Sequence, residues 1–327
     1  MEGISQMRRF APILALSLVA SLVLVANRHD AHAAPLVPGT GERLDKVCDD
    51  FEDDSWSYTP NPPKSSHNLD DRIRVPGGFS SNGRWAESAK RGQPDVVKRV
   101  ATPPGGSLGS TGALFLATQR PGIPGSFSWK MQQDDFLLSV KRQLGGHLPV
   151  SRSPSFVTRV YLPPFDKWEN RSGTSFGLRA DCRGSKGGWE LESYWPGIFI
   201  TFQSKTDPRY NEDSARLLCR AGPRGYEFPG PDIKEPGWWT LGMSFTPDGQ
   251  VHYYAHAGVE ALTAADHLGS RHPYGFRCRE LHTLFFNVAC MDNGRTWSTP
   301  WVVDDVEVFF VRPGGMPTAG TRVNSRR

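Results

Sequence analysis

Arg159, Tyr161, Arg179, Gln203, His252, Tyr254 and Asn287 share one feature of placement: each stands at an alternate position of a segment whose intervening residues are mostly apolar. In an extended chain, alternate side chains project from the same face. Such a face would present guanidinium groups, planar amides and aromatic rings together. That mixture suits sugars, whose ring faces lie on aromatics and whose hydroxyls need planar polar partners. Trp195 and Trp297 flank these segments and would extend the same surface. A second candidate is Trp189-Glu190-Leu191-Glu192. On one strand, Glu190 and Glu192 would point together, and two nearby carboxylates can act as acid and as nucleophile or base. The competing reading is a solvated acidic hairpin.

These residues need strands to align them, and the sequence is rich in strand signals. In Trp238-Trp239-Thr240-Leu241-Gly242-Met243-Ser244-Phe245, apolar residues recur at every second position; Thr246-Pro247-Asp248-Gly249 then makes a turn before Gln250-Val251-His252-Tyr253-Tyr254. This spacing predicts a β-hairpin with one buried face. Further strands are predicted at 113–117, 127–131, 156–162, 175–182, 189–194, 197–203, 215–220, 281–289 and 301–311. Residues 134–138 either continue a strand or start a short helix. Thr263-Ala264-Ala265-Asp266 resembles a capping box and predicts one helical turn. The Pro- and Gly-rich stretch 60–112 reads as a long irregular region, either functional or folded over a sheet edge.

The chain has 327 residues, with 34 Gly, 27 Pro, 10 Trp and 18 Phe. A turn-rich, aromatic-rich composition with almost no helical periodicity predicts an all-β domain. Arg8 and Arg9 precede an apolar run from Ala11 to Ala26, followed by Ala31-His32-Ala33. This predicts a signal peptide over 1–33 and a secreted, periplasmic or cell-surface protein. The run is shorter than the ~20 residues of a membrane span, so no span is expected after cleavage. An unstructured linker is expected over 34–46, the folded domain over 47–312 and a disordered tail over 313–327. The formal net charge of +4 is too mild to argue for a nucleic-acid partner. The cysteines Cys48, Cys182, Cys219, Cys278 and Cys290 are odd in number, so at least one is free. Cys182 and Cys219 are candidates for a cross-sheet bridge, whereas Cys278 and Cys290 lie far apart on one predicted strand.

The central hairpin, the closing segment Asp304-Asp305-Val306-Glu307-Val308 and the opening Asp50-Phe51-Glu52-Asp53 together resemble the concanavalin A-like lectin/glucanase superfamily, its laminin-G-like members especially. They are also similar to a group of uncharacterised secreted bacterial proteins. The resemblance spans about residues 47–312 and implies a two-sheet antiparallel jelly-roll β-sandwich, with the opening strand beside the closing one. It implies three further things. Relatives often bind calcium, for which Asp50, Asp53 and Asp305, with Asp49, Glu52 and Asp304, would supply oxygens; a charged sheet edge is the alternative. Lyases of this fold use a Gln-x-His strand with a Tyr and an Arg, which Gln250-Val251-His252, Tyr254 and Arg159 or Arg179 match in part, although the Arg-x-Glu piece is missing. The Glu-x-Asp-x-x-Glu strand of the glucanases is absent. The expectation is therefore a secreted, non-catalytic protein that binds a polysaccharide, glycan or cell-envelope polymer on a concave face. A lyase or glycoside hydrolase, using His252, Tyr254 and an Arg or else Glu190 and Glu192, and a structural envelope protein are the alternatives.

Overall fold

Two antiparallel sheets face each other across a single apolar core. A computed structural model describes residues 34–72 and 74–312; the expected signal peptide and tail lie outside the described residues. In the smaller sheet the order is His267–Arg271, Val251–Ala257, Gly237–Phe245, Ser155–Leu162, Trp301–Phe310, Gly112–Ala117 and Val96–Ala101. The short strand Glu42–Arg43 also pairs with Trp301–Phe310. In the larger sheet the order is Glu227–Ile233, Ser214–Arg220, Gly197–Gln203, Gly173–Ser185, Arg277–Met291, Met131–Leu138, Trp85–Glu87, Phe79–Ser80 and Tyr58–Thr59. Glu192–Tyr194 and Leu148–Pro149 add short pairings to it. This is the expected all-β, two-sheet jelly-roll sandwich.

The period-two pattern explains which side of each strand is sealed. Trp239, Leu241, Met243 and Phe245 from the smaller sheet join Phe176, Leu178, Ile198, Ile200, Leu284 and Phe286 from the larger one in a single buried cluster. The predicted hairpin pairs Trp239 with Ala257 through to Phe245 with Val251. Gly249, at φ +84°, closes its turn, where a Cβ would come within 2.7 Å of Arg277. Only glycine meets both demands without strain.

Several local expectations need correcting. Residues 34–46 are ordered rather than a loose linker: the Ser244 hydroxyl donates to the Leu36 carbonyl, Gly39 N–H donates to Ser155 Oγ, and Glu42–Arg43 adds to the sheet. This segment covers backbone and apolar surface that would otherwise face water. The opening strand is therefore Glu42–Arg43, not Asp50–Asp53, although the residue before that stretch, Asp49, makes an isolated bridge to Val306 of the closing strand. Stretch 60–112 is not irregular throughout, because Phe79–Ser80 and Trp85–Glu87 extend the larger sheet while Val96–Ala101 edges the smaller. Residues 134–138 are strand, within Met131–Leu138. All five cysteines are free and buried. Cys182 and Cys219 lie on strands separated by Gly197–Gln203, roughly 10 Å at the usual strand spacing, beyond bridging distance. The capping box at Thr263 and Asp266 is present and starts the 3₁₀ turn Ala264–Asp266.

Several buried charges are compensated by neighbours. Asp49 Oδ2 accepts from Trp56 Nε1 at 3.2 Å, Trp85 Nε1 at 2.8 Å and Asn82 Nδ2 at 2.9 Å. Lys64 Nζ reaches Asp134 at 2.6 Å and Asp95 at 2.8 Å, tying stretch 60–112 to both sheets. Asp304 sits where the closing strand bulges, beside Asp305 at φ +48°. It accepts from Ser110 Oγ at 2.8 Å and from Asp305 N–H at 2.7 Å.

Burial, reinforced by the adjacent Asp305 carboxylate, pushes the Asp304 carboxyl up to about 7. Between the ordinary carboxylate range and about 7, the folded state holds a proton that the unfolded chain has released. The contribution of this group to stability therefore falls as pH rises through that window and is level above it. Denaturant unfolding at stepped pH is expected to show wild type losing on the order of 2–4 kcal/mol between pH 4 and 7 relative to Asp304→Asn. Parallel pH profiles for the two proteins would refute this assignment.

Candidate functional site

The seven alternating residues do not converge. Arg159, Tyr161, His252 and Tyr254 lie on the smaller sheet, whereas Arg179, Gln203 and Asn287 lie on the larger. Both groups face away from the core, so the sandwich separates them by its full thickness. The smaller-sheet group is also committed to internal contacts. Arg159, 1% exposed, pairs with Asp305 at 3.1 Å and Glu307 at 3.6 Å and donates to the Val259 carbonyl. Tyr161 packs on Trp238, and Tyr254 packs on His267 and in a cluster with Val37, Val157 and Leu262.

His252 is fully buried, with Nε2 2.8 Å from Thr246 Oγ1 and Nδ1 2.6 Å from Ser270 Oγ. Burial lowers its pKa to about 4, which keeps the ring neutral. His252 is thus enclosed by Thr246, Ser270 and His267, on the opposite sheet from Arg179. It cannot share a lyase-like centre with that arginine. Glu190 and Glu192 are exposed, and Glu190 falls outside the strand Glu192–Tyr194, so the two do not form a strand-face pair.

The proposed calcium carboxylates are also dispersed. Asp50 and Asp53 cap nearby turns through Glu52 N–H and Ser55, and Asp305 is neutralised by Arg159 and bonded by Ser107 Oγ. Among the described residues, the cluster with metal-ligand geometry is elsewhere, at His147, Glu280 and His282.

On the larger sheet a different constellation emerges from the register. One row across the strands is Asp135, Asn287, Gly177, Phe199 and Leu218; the next is Leu137, Phe285, Arg179, Gly197 and Arg220. Asn287 Nδ2 donates to Asp135 Oδ1 at 2.7 Å, and Gln133 Nε2 donates to the same oxygen at 2.9 Å. Arg179 lies over the rings of Phe199 and Phe285, 5.4 and 5.3 Å from their centroids. Arg220 lies over the Phe199 ring at 4.5 Å, and Lys90 over the Trp195 ring at 4.7 Å.

Two glycines make this possible. A Cβ on Gly177 would stand 2.9 Å from the Phe199 ring and 3.1 Å from Asn287 Oδ1; one on Gly197 would stand 2.7 Å from Arg179 Cγ.

The electrostatics of this face are unusual. Arg179 is 9% exposed, yet its hydrogen bond is to the Trp195 carbonyl at 2.8 Å and its Nε has no partner. Burial, with the Arg220 cation next, lowers its pKa to about 10, so it stays charged at neutral pH. Asn287 Oδ1, Thr201 Oγ1 and Asp181 Oδ1 are likewise buried without partners. Burial raises the Asp135 carboxyl, opposed by its Gln133 hydrogen bond and by Arg179. Partnerless buried polar atoms are costly; of the nine among the described residues, these four share this face, the others being Asp134 Oδ1, Arg159 Nη1, Tyr194 Oη, Asp292 Oδ1 and Trp301 Nε1.

Asp135, Gln133, Phe199, Phe285 and Arg220 were not among the residues singled out from sequence. The signal was present in the alternations Gln133-x-Asp135, Gly177-x-Arg179 and Phe285-x-Asn287, but only pairing order shows that these adjoin.

No family model matches the sequence, and no curated protein is similar to it at a significant level. In structure the chain is similar to an alginate lyase mutant in complex with alginate tetrasaccharide, at 8% identity and a TM-score of 0.37, covering 86% of this chain and 100% of that one. It is also similar to the carbohydrate recognition domain of Emp47p, at 7% identity and 0.37, covering 83% and 98%. The T. cruzi calreticulin globular domain aligns at 9% identity and 0.36, covering 70% and 84%. At these values the site must be read from its own residues.

Gly177→Ala is expected to destabilise the fold by about 1–3 kcal/mol by overpacking the Phe199 and Asn287 contacts. Chemical denaturation measures this; an unchanged midpoint would show that the face is looser than described.

Proposed function

We propose that this protein binds an acidic carbohydrate or cell-envelope polymer, without catalysis, through the outer face of the larger sheet. Arg179 supports this reading most directly: a buried, charged guanidinium clamped between two phenyl rings, with an unpartnered nitrogen and no carboxylate bonded to it. Fixed cations on apolar rings recognise carboxylate or sulfate groups, because the rings hold the guanidinium in place and lower the local dielectric. Around it, Lys90, Arg91 and Arg220 are matched by Asp135, Asp181 and Glu227, the last paired with Arg220 at 2.7 Å, so Arg179 itself carries the excess positive charge, which favours an anionic ligand. Thr201, Gln203 and Trp195 line the half-buried rim, where sugar hydroxyls and ring faces find partners.

Export fits a polymer-binding role and remains part of the proposal, resting on the expected leader at 1–33. Among the described residues no helix is long and apolar enough to cross a membrane. Catalysis has less support, since the carboxylate and histidine sets proposed for it are dispersed or sealed.

Affinity electrophoresis in gels containing polyuronate, sulfated or neutral polysaccharides tests the reading. Retardation is expected in at least one acidic gel and little in neutral ones, with affinity reduced ~10-fold or more in Arg179→Ala. Lys98→Ala, an exposed change on the other sheet, should migrate as wild type. Equal retardation of Arg179→Ala and wild type, with the variant folded by circular dichroism, would exclude this face as the binding surface.

A further inference from the structure

We propose that His147, Glu280 and His282 form a binding site for a divalent transition-metal ion of the zinc class. The site lies at the end of the larger sheet and does not depend on the polymer-binding reading. Its three side chains come from two separate parts of the chain. Glu280 and His282 belong to Arg277–Met291, at a place where the pairing with Gly173–Ser185 slips twice. Residues two apart on a strand share a face, which sets Glu280 beside His282. His147 precedes the short strand Leu148–Pro149, whose pairing of Pro149 with Glu280 and Leu148 with Leu281 holds it alongside. The position of His147 is therefore set by the backbone ladder, not by a free loop.

The geometry is that of a ligand set. His282 Nε2 is 2.8 Å from Glu280 Oε2, and His147 Nε2 is 3.5 Å from Glu280 Oε1. The imidazoles are stacked at 6.0 Å between ring centroids. Ligand atoms of all three residues lie within 4.8 Å of one another. In a tetrahedral zinc site with bonds near 2.1 Å, neighbouring ligand atoms are about 3.4 Å apart. The 2.8 and 3.5 Å separations from Glu280 lie close to that value. Two imidazole nitrogens and one carboxylate select zinc and its neighbours over calcium or magnesium, which prefer all-oxygen shells. Three protein ligands leave at least one coordination position for water or a ligand group. His147 is exposed and lines a surface cavity of about 430 Å³ with Leu144, Pro149 and Phe310, so that flank is accessible.

Two charged neighbours bear on the site. Arg183 Nη1 lies 4.0 Å from Glu280 and opposes a cation, but its Nη2 is anchored on the Leu191 carbonyl. Asp181, one strand over, interacts electrostatically with His282 and holds a buried oxygen without a partner. Its carboxyl group adds nearby electronegative character that favours a cation.

Calorimetric titration of the chelator-treated protein with zinc chloride tests the proposal, with cobalt absorption as a second readout. One saturable site per chain is expected, and cobalt should give the visible bands of a low-coordinate nitrogen–oxygen site. His147→Ala, at an exposed position that spares the core, should weaken binding ~10-fold or more, and Glu280→Gln should do the same. His256→Ala, a histidine on the other sheet, should have no effect. Arg183→Ala should leave binding intact or tighten it. A site that survives His147→Ala and Glu280→Gln unchanged, or zinc binding without saturation, would overturn the proposal.

Discussion

The whole molecule depends on sealing two sheets against each other with aromatic and branched side chains. Phe176 of the larger sheet meets Trp301 of the smaller at 5.0 Å, while Trp85 stacks on Phe136 at 4.9 Å and on Phe286 at 5.4 Å. Once these faces are closed, the two-residue period of a strand sends every alternate side chain outward. Apart from matched internal groups such as Lys64 with Asp134, the strands present their polar side chains on two outer surfaces on opposite sides of the sandwich. Those surfaces have different fates. The smaller sheet is covered by its own chain, through residues 36–40 and the loop carrying Val259 and Leu262. The larger sheet keeps a row of polar groups whose bonding capacity the protein itself does not fill.

The contrast among buried charges shows why the second surface is the functional candidate. Asp49 receives three N–H donors, Lys64 sits between two carboxylates, and Arg159 faces Asp305 and Glu307. Each of these charges faces opposite charge or several donors, as burial requires, although Arg159 Nη1 and Asp134 Oδ1 make no hydrogen bond. Arg179 relies instead on two phenyl faces and one carbonyl. Unlike Arg159 and Lys64, Arg179 has no bonded carboxylate, and it stands where Asn287 and Thr201 also have unused polar atoms. Incomplete polar networks are expensive unless something completes them, and a carbohydrate bearing an anionic group has the right complement.

Much of this architecture was legible in the residues. The alternation in Trp239–Phe245, with Pro247 to Gly249 behind it, is set by local chain geometry and by the need to bury one face, so the hairpin could be read directly. The Thr263–Asp266 cap is equally local, since its hydrogen bonds close within four residues. The helix Val140–Leu144 escaped notice although Ser139 caps it and Gly145 ends it, because five residues are too few to show a helical period. Stretch 60–112 looked irregular because its strands are two to six residues long and its order comes from distant partners such as the Lys64 contacts with Asp95 and Asp134.

The sequence by itself determined the class of fold and the face of each strand, because alternation and turn chemistry act over a few residues. It could also nominate Arg179, Gln203 and Asn287 as outward-facing polar groups. Only the tertiary structure decided which nominated residues keep company. Strand order is a long-range property: placing Gly173–Ser185 beside Arg277–Met291 and Met131–Leu138 brings Arg179 to Asn287 and Asp135, while placing Val251–Ala257 in the other sheet removes His252 and Tyr254. Whether an outward face is open or covered depends on where loops and the N-terminal segment come to rest. That is settled by packing between parts of the chain far apart in sequence, which no local pattern encodes.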